Sequence, residues 1–175
     1  MKNKINNPSW NFYLDKVNTY AYWEKAFTKE ECEKIIKIAK DKDLIKGITK
    51  GQSNTRSSQI SWLHSTDNLE WVFRKITDIV LNLNDRFFQF NIFGLNEGLQ
   101  FTNYKAPSDK YGKHIDRALD FTIRKLSLSI QLTDPKEYKG GELYLYEDEK
   151  GTEMKKEQGT LILFPSFILH EVKPV

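Results

Sequence analysis

Two stretches in the first half of the chain carry the hydrophobic spacing of amphipathic helices. Thr28 followed three residues later by Glu31 forms a capping-box pattern, and Asp67 with Glu70 forms a second start signal. Apolar residues follow the first signal at Cys32, Ile35, Ile36 and Ala39, and the second at Leu69, Val72, Phe73, Ile76, Val80 and Leu83. We predict a first helix of about four turns, ending near residues 40–44, and a second helix that opens at Asp67.

A polar segment separates the two predicted helices. Residues 47–58 are rich in Gly, Ser, Thr, Asn and Gln and carry no apolar period. Such a composition is typical of a loop, because these side chains compete with the backbone for hydrogen bonds and adopt turn conformations easily. We predict an exposed, mobile loop here.

From Phe87 onward the hydrophobic period changes to two, which is typical of half-buried strands. Apolar residues alternate with polar ones at Phe88, Phe90 and Ile92, at Leu126, Leu128, Ile130 and Leu132, and at Leu143 and Leu145. Gly and Pro interrupt these runs at short spacing, which favours antiparallel strands joined by turns over crossover helices.

This order of elements predicts an α+β, mainly β fold. The expected architecture is an antiparallel barrel or jelly roll, buttressed by N-terminal helices. The length of 175 residues suits one domain over residues 1–175, with helical support over about 1–86 and the barrel over about 87–175.

Composition narrows the classes of partner that the protein is expected to have. The formal net charge of +3 comes from interspersed acidic and basic residues, so no basic stripe for a phosphate backbone is visible and nucleic acid is not an expected partner. No apolar run approaches the ~20 residues that span a bilayer, so we expect no membrane partner. The only cysteine, Cys32, cannot form an internal disulfide, in agreement with a cytoplasmic protein.

Two of the three histidines lie where a metal site would need them. His114 and Asp116 are two residues apart, so an extended backbone directs both side chains to one face. His170, at the end of the apolar run 161–169, is the candidate third ligand, whereas His64 is assigned no role. Two histidines and one carboxylate, with open positions on the metal, suit non-heme Fe(II) oxygen chemistry. Spacing alone leaves metal ligation and an ordinary strand-end histidine about equally open.

The segment from Phe101 onward resembles the Fe(II)/2-oxoglutarate-dependent dioxygenases of the prolyl 4-hydroxylase type. The matching pieces, in order, are Tyr104, residues 111–116, Arg124 with residues 126–132, residues 140–143, residues 159–166 and residues 170–175. Residues 56–63 also resemble the segment that precedes the barrel in these hydroxylases. The pattern His-x-Asp followed by Phe-Pro-Ser and a distant histidine is the most specific part of the resemblance.

The resemblance implies a double-stranded β-helix, a jelly-roll or cupin-like barrel with helices packed on one side. It implies that His114, Asp116 and His170 hold Fe(II), with 2-oxoglutarate and O2 as co-substrates and ascorbate as a candidate reductant. The implied activity is hydroxylation of a C–H bond with release of succinate and CO2, and the leading substrate is a peptidyl proline.

Further residues receive roles from the same resemblance. Tyr104 matches a tyrosine that hydrogen-bonds the co-substrate, and Ser129 lies on the polar face of its strand, where it would line the cavity. Arg56, Trp62 and Tyr111 are the candidate substrate contacts. The alternatives are ordinary packing for Tyr104 and Trp62 and a solvent-facing position for Ser129.

One part of the family pattern is not found in the sequence. The family anchors 2-oxoglutarate with an arginine or lysine roughly nine residues past the second histidine, where it makes a charge-assisted contact. This sequence ends five residues past His170. We therefore expect one of three cases: a longer chain whose final barrel strand follows Val175, a substitute cation with Lys125 as the first candidate, or a domain that does not bind 2-oxoglutarate.

Three functions follow from this reading. The first is a 2-oxoglutarate-dependent hydroxylase of a peptide or protein that contains proline. The second is a hydroxylase of a free amino acid or another small molecule. The third is a metal-binding jelly-roll module without turnover; the missing anchor favours it, and the complete His-Asp-His set argues against it.

Overall fold

The computed structural model describes residues 3–7, 10–14, 18–47, 55–95, 97–116 and 124–175. The helices there are α1 (Lys29–Lys40) and α2 (Glu70–Leu83), with a π-helical turn (Asn84–Phe88) after α2 and a 3-10 turn (Pro135–Glu137). The strands are β1 (Asn3–Asn7), β2 (Trp10–Leu14), β3 (Ala21–Trp23), β4 (Ile45–Lys46), β5 (Arg56–Ser57), β6 (Gln59–Leu63), β7 (Leu99–Asn103), β8 (Lys110–His114), β9 (Leu126–Ile130), β10 (Leu143–Tyr146), β11 (Thr152–Glu153), β12 (Leu161–Pro165) and β13 (Leu169–Val172). Neither α-helix offers the long apolar stretch that crosses a membrane.

The capping box predicted for α1 is confirmed. The Glu31 backbone N–H donates to Thr28 Oγ1 at 3.2 Å, and the Thr28 N–H donates to Glu31 Oε2 at 2.8 Å. This reciprocal pair satisfies two N–H groups that a helix start otherwise leaves open. The helix buries Cys32, Ile35 and Ala39, as its period predicts.

The start predicted for α2 is wrong by three residues. The helix begins at Glu70 after Leu69, which provides no side-chain cap. The Asp67 carboxylate instead accepts the His64 N–H at 2.6 Å and pairs with Lys42 at 2.7 Å. Asp67 therefore closes the turn before the helix. Its carboxylate accepts a backbone N–H in that turn and does not cap the helix.

All observed strand pairs are antiparallel, so the predicted mainly β architecture is confirmed. The largest sheet has the order β11-β10-β13-β8-β5. Two three-stranded sheets have the orders β3-β12-β9 and β4-β6-β7, and β1 pairs with β2. The region expected to supply mainly helices therefore also contributes strands.

The buried β12 separates two hydrophobic cores. Its Leu161 and Leu163 belong to the core that packs α1 and α2 against the sheets, which also includes Phe27 and Ile76. The alternate residues of β12, Ile162 and Phe164, join Leu143, Leu145 and Met154 between β12 and β10. Because strand side chains alternate between faces, one strand can support both layers.

The strand predicted around Phe88, Phe90 and Ile92 is wrong. Phe88 ends the π-helical turn, and Gln89 adopts the left-handed conformation with φ of 55°. The Asn84 side chain then binds both backbone groups of Phe90, at 2.8 and 3.0 Å. Those groups are satisfied locally and do not join a strand ladder.

The predicted loop of residues 47–58 is partly wrong. Residues 48–54 lie outside the described residues, but Arg56 and Ser57 form β5, and Gly47, Arg56 and Ser58 are buried. The Gly47 N–H donates to the Ser58 carbonyl at 2.9 Å. Polar composition predicted exposure here, whereas mutual hydrogen bonding allows these residues to be buried.

Candidate metal centre

The pairing of β8 with β13 brings the two candidate histidine ligands together. His170 lies directly opposite His114 in the antiparallel register, and their ring centroids are 4.1 Å apart. Asp116 follows β8 and donates its backbone N–H to the Ser166 carbonyl at 3.1 Å. The chain segments that carry the three residues are therefore held side by side by backbone hydrogen bonds.

Both histidines use the same nitrogen to fix their rings. His114 Nδ1 lies 2.8 Å from the Gly112 carbonyl, and His170 Nδ1 lies 2.9 Å from the Ile168 carbonyl. Because a carbonyl only accepts, each Nδ1 carries a proton in these contacts, and each Nε2 is the nitrogen that can bind a metal ion once it carries no proton. The two Nε2 atoms lie 3.5 and 3.6 Å from one oxygen, Asp116 Oδ1.

The Asp116 carboxyl is ionised in this setting. Burial raises its pKa, but contacts with His114 and His170 and the nearby Ser127 hydroxyl outweigh burial and hold the pKa well below its usual range. The second oxygen, Oδ2, faces Arg124 at 3.8 Å. One oxygen of the carboxylate thus faces the histidines, and the other faces the guanidinium.

This arrangement fits a divalent metal ion. One ligand atom from each of His114, Asp116 and His170 lies within 4.8 Å of the others. Ligands bound about 2.1 Å from a shared ion are themselves separated by roughly 3 to 4 Å. Neutral imidazoles whose other nitrogen donates to a carbonyl, together with an oriented carboxylate, are typical of metal ligands.

Aromatic rings enclose the histidines. Tyr111 stacks on His114 with ring centroids 3.5 Å apart, and Phe164 meets His170 edge to face at 4.9 Å. These contacts limit ring rotation and shield the imidazoles from water. His170 is 5% exposed, so its Nε2 faces a confined site.

Arg56 lies on the opposite side of Tyr111. Its guanidinium carbon is 4.5 Å from the Tyr111 ring centroid, as expected from the pairing of these two residues across β5 and β8. The guanidinium also donates to Gln100 and Thr102 of β7. Three strands therefore converge on this arginine.

The remaining candidates lie on β6, just after β7, and on or just before β9. Trp62 lies opposite Gln100 in the β6–β7 pair, so the two side chains share one face of the sheet, which points away from the helices. Gln100 also accepts a hydrogen bond from Arg56. Tyr104 follows β7 and is half-buried. Ser129 shares a face of β9 with Ser127 and is partly exposed. Lys125 Nζ donates to the Asn91 carbonyl.

Sequence reasoning did not identify the ion pair between Arg124 and Asp116. Arg124 entered only as part of a family pattern, yet it contacts Asp116 and also pairs with Glu97. No periodic or spacing signal indicates this pair, since its geometry depends on the route of the chain between the two residues. The preference of a guanidinium for a buried carboxylate is the physical cue.

The sequence is similar to known oxygenases and hydroxylases. Residues 99–175 match the family model described as the 2OG-Fe(II) oxygenase superfamily. A PKHD-type hydroxylase of Aliarcobacter butzleri is 34% identical over 136 residues, which cover 73% of this chain and 59% of that protein. The chain therefore spans about three fifths of the length of this curated relative.

Solved structures share the fold. A prolyl-4-hydroxylase of Pseudomonas putida superposes with a TM-score of 0.72 at 20% identity, covering 90% of this chain and 85% of the other. A prolyl hydroxylase of Trichoplax adhaerens, in complex with a hypoxia inducible factor peptide, gives 0.73 at 17% identity, covering 90% and 78%. These likenesses confirm the predicted jelly-roll architecture. With the sequence match and the His-Asp-His geometry, they lead to one conclusion: residues 99–175 resemble the 2OG-Fe(II) oxygenase superfamily, and the chain has the fold of the prolyl 4-hydroxylase type.

Proposed function

We propose that this protein is an Fe(II)- and 2-oxoglutarate-dependent hydroxylase whose metal ligands are His114, Asp116 and His170. The convergence of two Nε2 atoms on one carboxylate oxygen, at 3.5 and 3.6 Å, is the observation that carries the proposal. Iron(II) held there supplies O2 activation, coupled to the conversion of 2-oxoglutarate into succinate and CO2. The product is a substrate in which one C–H bond has become C–OH.

The protein prepares the ligands before any ion binds. The carbonyls of Gly112 and Ile168 hold the histidines in the tautomer that offers Nε2. Arg124 holds Asp116 Oδ2, which leaves Oδ1 directed toward the histidines. Preorganisation of this kind lowers the free-energy cost of assembling the site.

We assign the contacts with the organic ligands to the remaining candidate residues. We assign Tyr104 and Ser129 to the co-substrate side, because a hydroxyl can donate to a carboxylate or keto oxygen. We assign Tyr111 and Trp62 to the substrate side, together with Arg56 beside them. Lys125 is a weaker candidate for the co-substrate, since its amine already donates to Asn91. Ascorbate would act as a reductant from solution.

A peptidyl proline is the substrate we favour. The support is the structural likeness to prolyl hydroxylases, one of which is complexed with a peptide. The exposed side of Trp62, 36% accessible, offers an aromatic surface of the kind on which a proline ring packs. With Cys32 as the only cysteine, we place this reaction in the reducing cytoplasm.

The test measures succinate formed from 2-oxoglutarate with Fe(II) and O2, alone and with proline-containing peptides, and follows the peptides by mass spectrometry. We expect succinate and a peptide that gains one oxygen atom, and we expect Asp116→Ala to abolish both. A free amino acid that is hydroxylated in place of a peptide would correct the substrate. An iron-loaded protein that neither binds nor consumes 2-oxoglutarate would overturn the proposal in favour of a non-catalytic metal-binding module.

A further inference from the structure

Arg56 carries a buried positive charge that no acidic residue among the described residues offsets by contact. It is 9% exposed, and its Nε donates to Ser58 Oγ at 2.8 Å. Its Nη2 donates to Gln100 Oε1 at 2.6 Å and to Thr102 Oγ1 at 3.3 Å. All three acceptors are neutral, and the described part of the chain places no carboxylate oxygen within 4.0 Å of the guanidinium.

The neutral acceptors leave the electric field of this charge in place. They lower the free-energy cost of burying a guanidinium, but they carry no net charge that would cancel it. Asp109, an acidic residue beside β5, has other partners, since Ser57 Oγ donates to one of its oxygens and the Lys105 N–H donates to the other at 2.8 Å. Because the protein interior screens a charge less than water does, Arg56 acts over a longer range than an exposed arginine.

One aromatic ring separates this charge from the metal centre. The Arg56 guanidinium carbon lies 4.5 Å from the Tyr111 ring centroid, and that ring stacks on His114 with centroids 3.5 Å apart. The guanidinium carbon is therefore within about 8 Å of the His114 ring centre. An ion bound to Nε2 lies about 3 Å from the centre of its imidazole, so the charge and the ion are within about 11 Å. Arg56 acts on that ion through space and does not ligate it.

Another buried group near Arg56 responds to the same field. Burial raises the pKa of Tyr104 to about 12, and the charge of Arg56 opposes part of that increase. A positive charge favours a negative charge nearby, and for the same reason it disfavours an added positive charge. The field of Arg56 therefore reaches beyond the groups that its guanidinium contacts.

The other cations near the metal centre are offset or screened. Arg124 pairs with both Asp116 and Glu97, and Lys173 pairs with Glu171 at 2.6 Å. Within the described part of the chain, every lysine and every other arginine keeps more contact with water than Arg56, which weakens its field through screening. Arg56 is thus the one buried cation among the described residues.

We infer that Arg56 stabilises the Fe(II) state of the metal centre against oxidation to Fe(III). Oxidation removes one electron from the ion and adds one positive charge, which the buried guanidinium repels. This inference rests on the proposed function, because it needs iron at His114, Asp116 and His170. The effect applies to the protein before substrate arrives, and it lowers the demand for an external reductant such as ascorbate.

The test measures the ratio of Fe(III) to Fe(II) in the iron-loaded protein at one fixed potential, without 2-oxoglutarate or substrate. A redox mediator accepts or returns one electron per iron under anaerobic conditions, and electron paramagnetic resonance quantifies Fe(III). Arg56→Gln removes the charge, and Arg56→Lys keeps it. Gln100→Glu leaves Arg56 in place and puts a carboxylate where a neutral amide oxygen now accepts at 2.6 Å. Arg86→Gln is the matched control at an exposed arginine.

We expect Arg56→Gln and Gln100→Glu each to raise the ratio of Fe(III) to Fe(II) about tenfold. Coulomb's law gives this factor for unit charges about 11 Å apart at an effective dielectric constant of about 20. Arg56→Lys and Arg86→Gln should keep the wild-type ratio. Iron stoichiometry and thermal unfolding establish that each variant is folded and loaded, and Gln100→Glu carries the comparison if Arg56→Gln does not fold.

A wild-type ratio in the folded, iron-loaded Arg56→Gln and Gln100→Glu variants would overturn the inference and leave the proposed function standing. An equal change in Arg56→Gln and Arg56→Lys, with none in Gln100→Glu, would assign the effect to packing and would also overturn the inference. A wild type that binds no iron would overturn the proposed function together with the inference.

Discussion

His170 lies directly across from His114 in the β8 and β13 pair, and both rings direct Nε2 toward the same Asp116 oxygen. The two residues are 56 positions apart in sequence, so the register of one strand pair determines their contact. A shift of one residue would turn one imidazole to the outer face of the sheet. The metal centre therefore depends on strand register as much as on residue identity.

Arg124 should control metal affinity without contacting the ion. Arg124→Gln removes the cation that faces Asp116 Oδ2 at 3.8 Å, and the carboxylate then loses its fixed orientation. We expect affinity for Mn(II) or Co(II), measured by calorimetry, to fall about 10- to 100-fold. Arg86→Gln, at an exposed arginine, should leave affinity unchanged. Unchanged affinity in Arg124→Gln would show that the backbone alone orients Asp116.

Tyr111 should act through its ring rather than its hydroxyl. The ring stacks on His114 at 3.5 Å, and Arg56 lies over it at 4.5 Å. Tyr111→Phe keeps both contacts and should retain metal affinity. Tyr111→Ala removes them and should weaken Co(II) binding by about 2- to 10-fold, the value of one aromatic contact. If phenylalanine is as harmful as alanine, the hydroxyl is the functional group.

Gly159 should be intolerant of a side chain because of contact, not only conformation. A Cβ there would lie 1.9 Å from the Phe27 carbonyl oxygen, and φ is +82°. Gly94, with φ of +139°, has open space around the same atom and is the matched control. In urea unfolding, Gly94→Ala should cost about 1 kcal/mol and Gly159→Ala about 3 kcal/mol. Equal losses would contradict the predicted clash.

Cys32 should be inert in the native protein. Burial raises the pKa of its thiol to about 11, and the side chain is 0% exposed. Since the thiolate is the reactive form, a raised pKa leaves the thiol protonated and unreactive at pH 8. A thiol reagent should label Cys32 only after denaturant is added. Rapid labelling of the native protein would show that α1 opens easily.

Local patterns predicted what local contacts determine. Thr28 and Glu31 meet within one helical turn, and the alternating residues 126–130 form a strand with one face on the core. Three to five residues of sequence therefore suffice to predict each of these features. The His-x-Asp spacing likewise places two side chains on one face. These features need no knowledge of distant residues.

Contacts that the hydrophobic period does not encode account for what was missed. Asn84 captures the backbone of Phe90 and replaces a predicted strand with a turn. Arg56 is buried and donates hydrogen bonds to residues of β7, more than 40 positions later, although its own neighbours are polar and predict an exposed loop. A side chain that bonds to the backbone removes a strand in the first case, and strand pairing buries a polar segment in the second.

The most direct measurement of the central claim is Fe(II) binding by anaerobic equilibrium dialysis in four single-alanine variants. The chain has three histidines, so His64→Ala provides a matched control for His114→Ala and His170→Ala, with Asp116→Ala as the fourth variant. We predict one Fe(II) per chain in the wild type and in His64→Ala, and none in the three others. Stoichiometric Fe(II) in any of those three, or its loss in His64→Ala, would contradict the assignment of the metal centre.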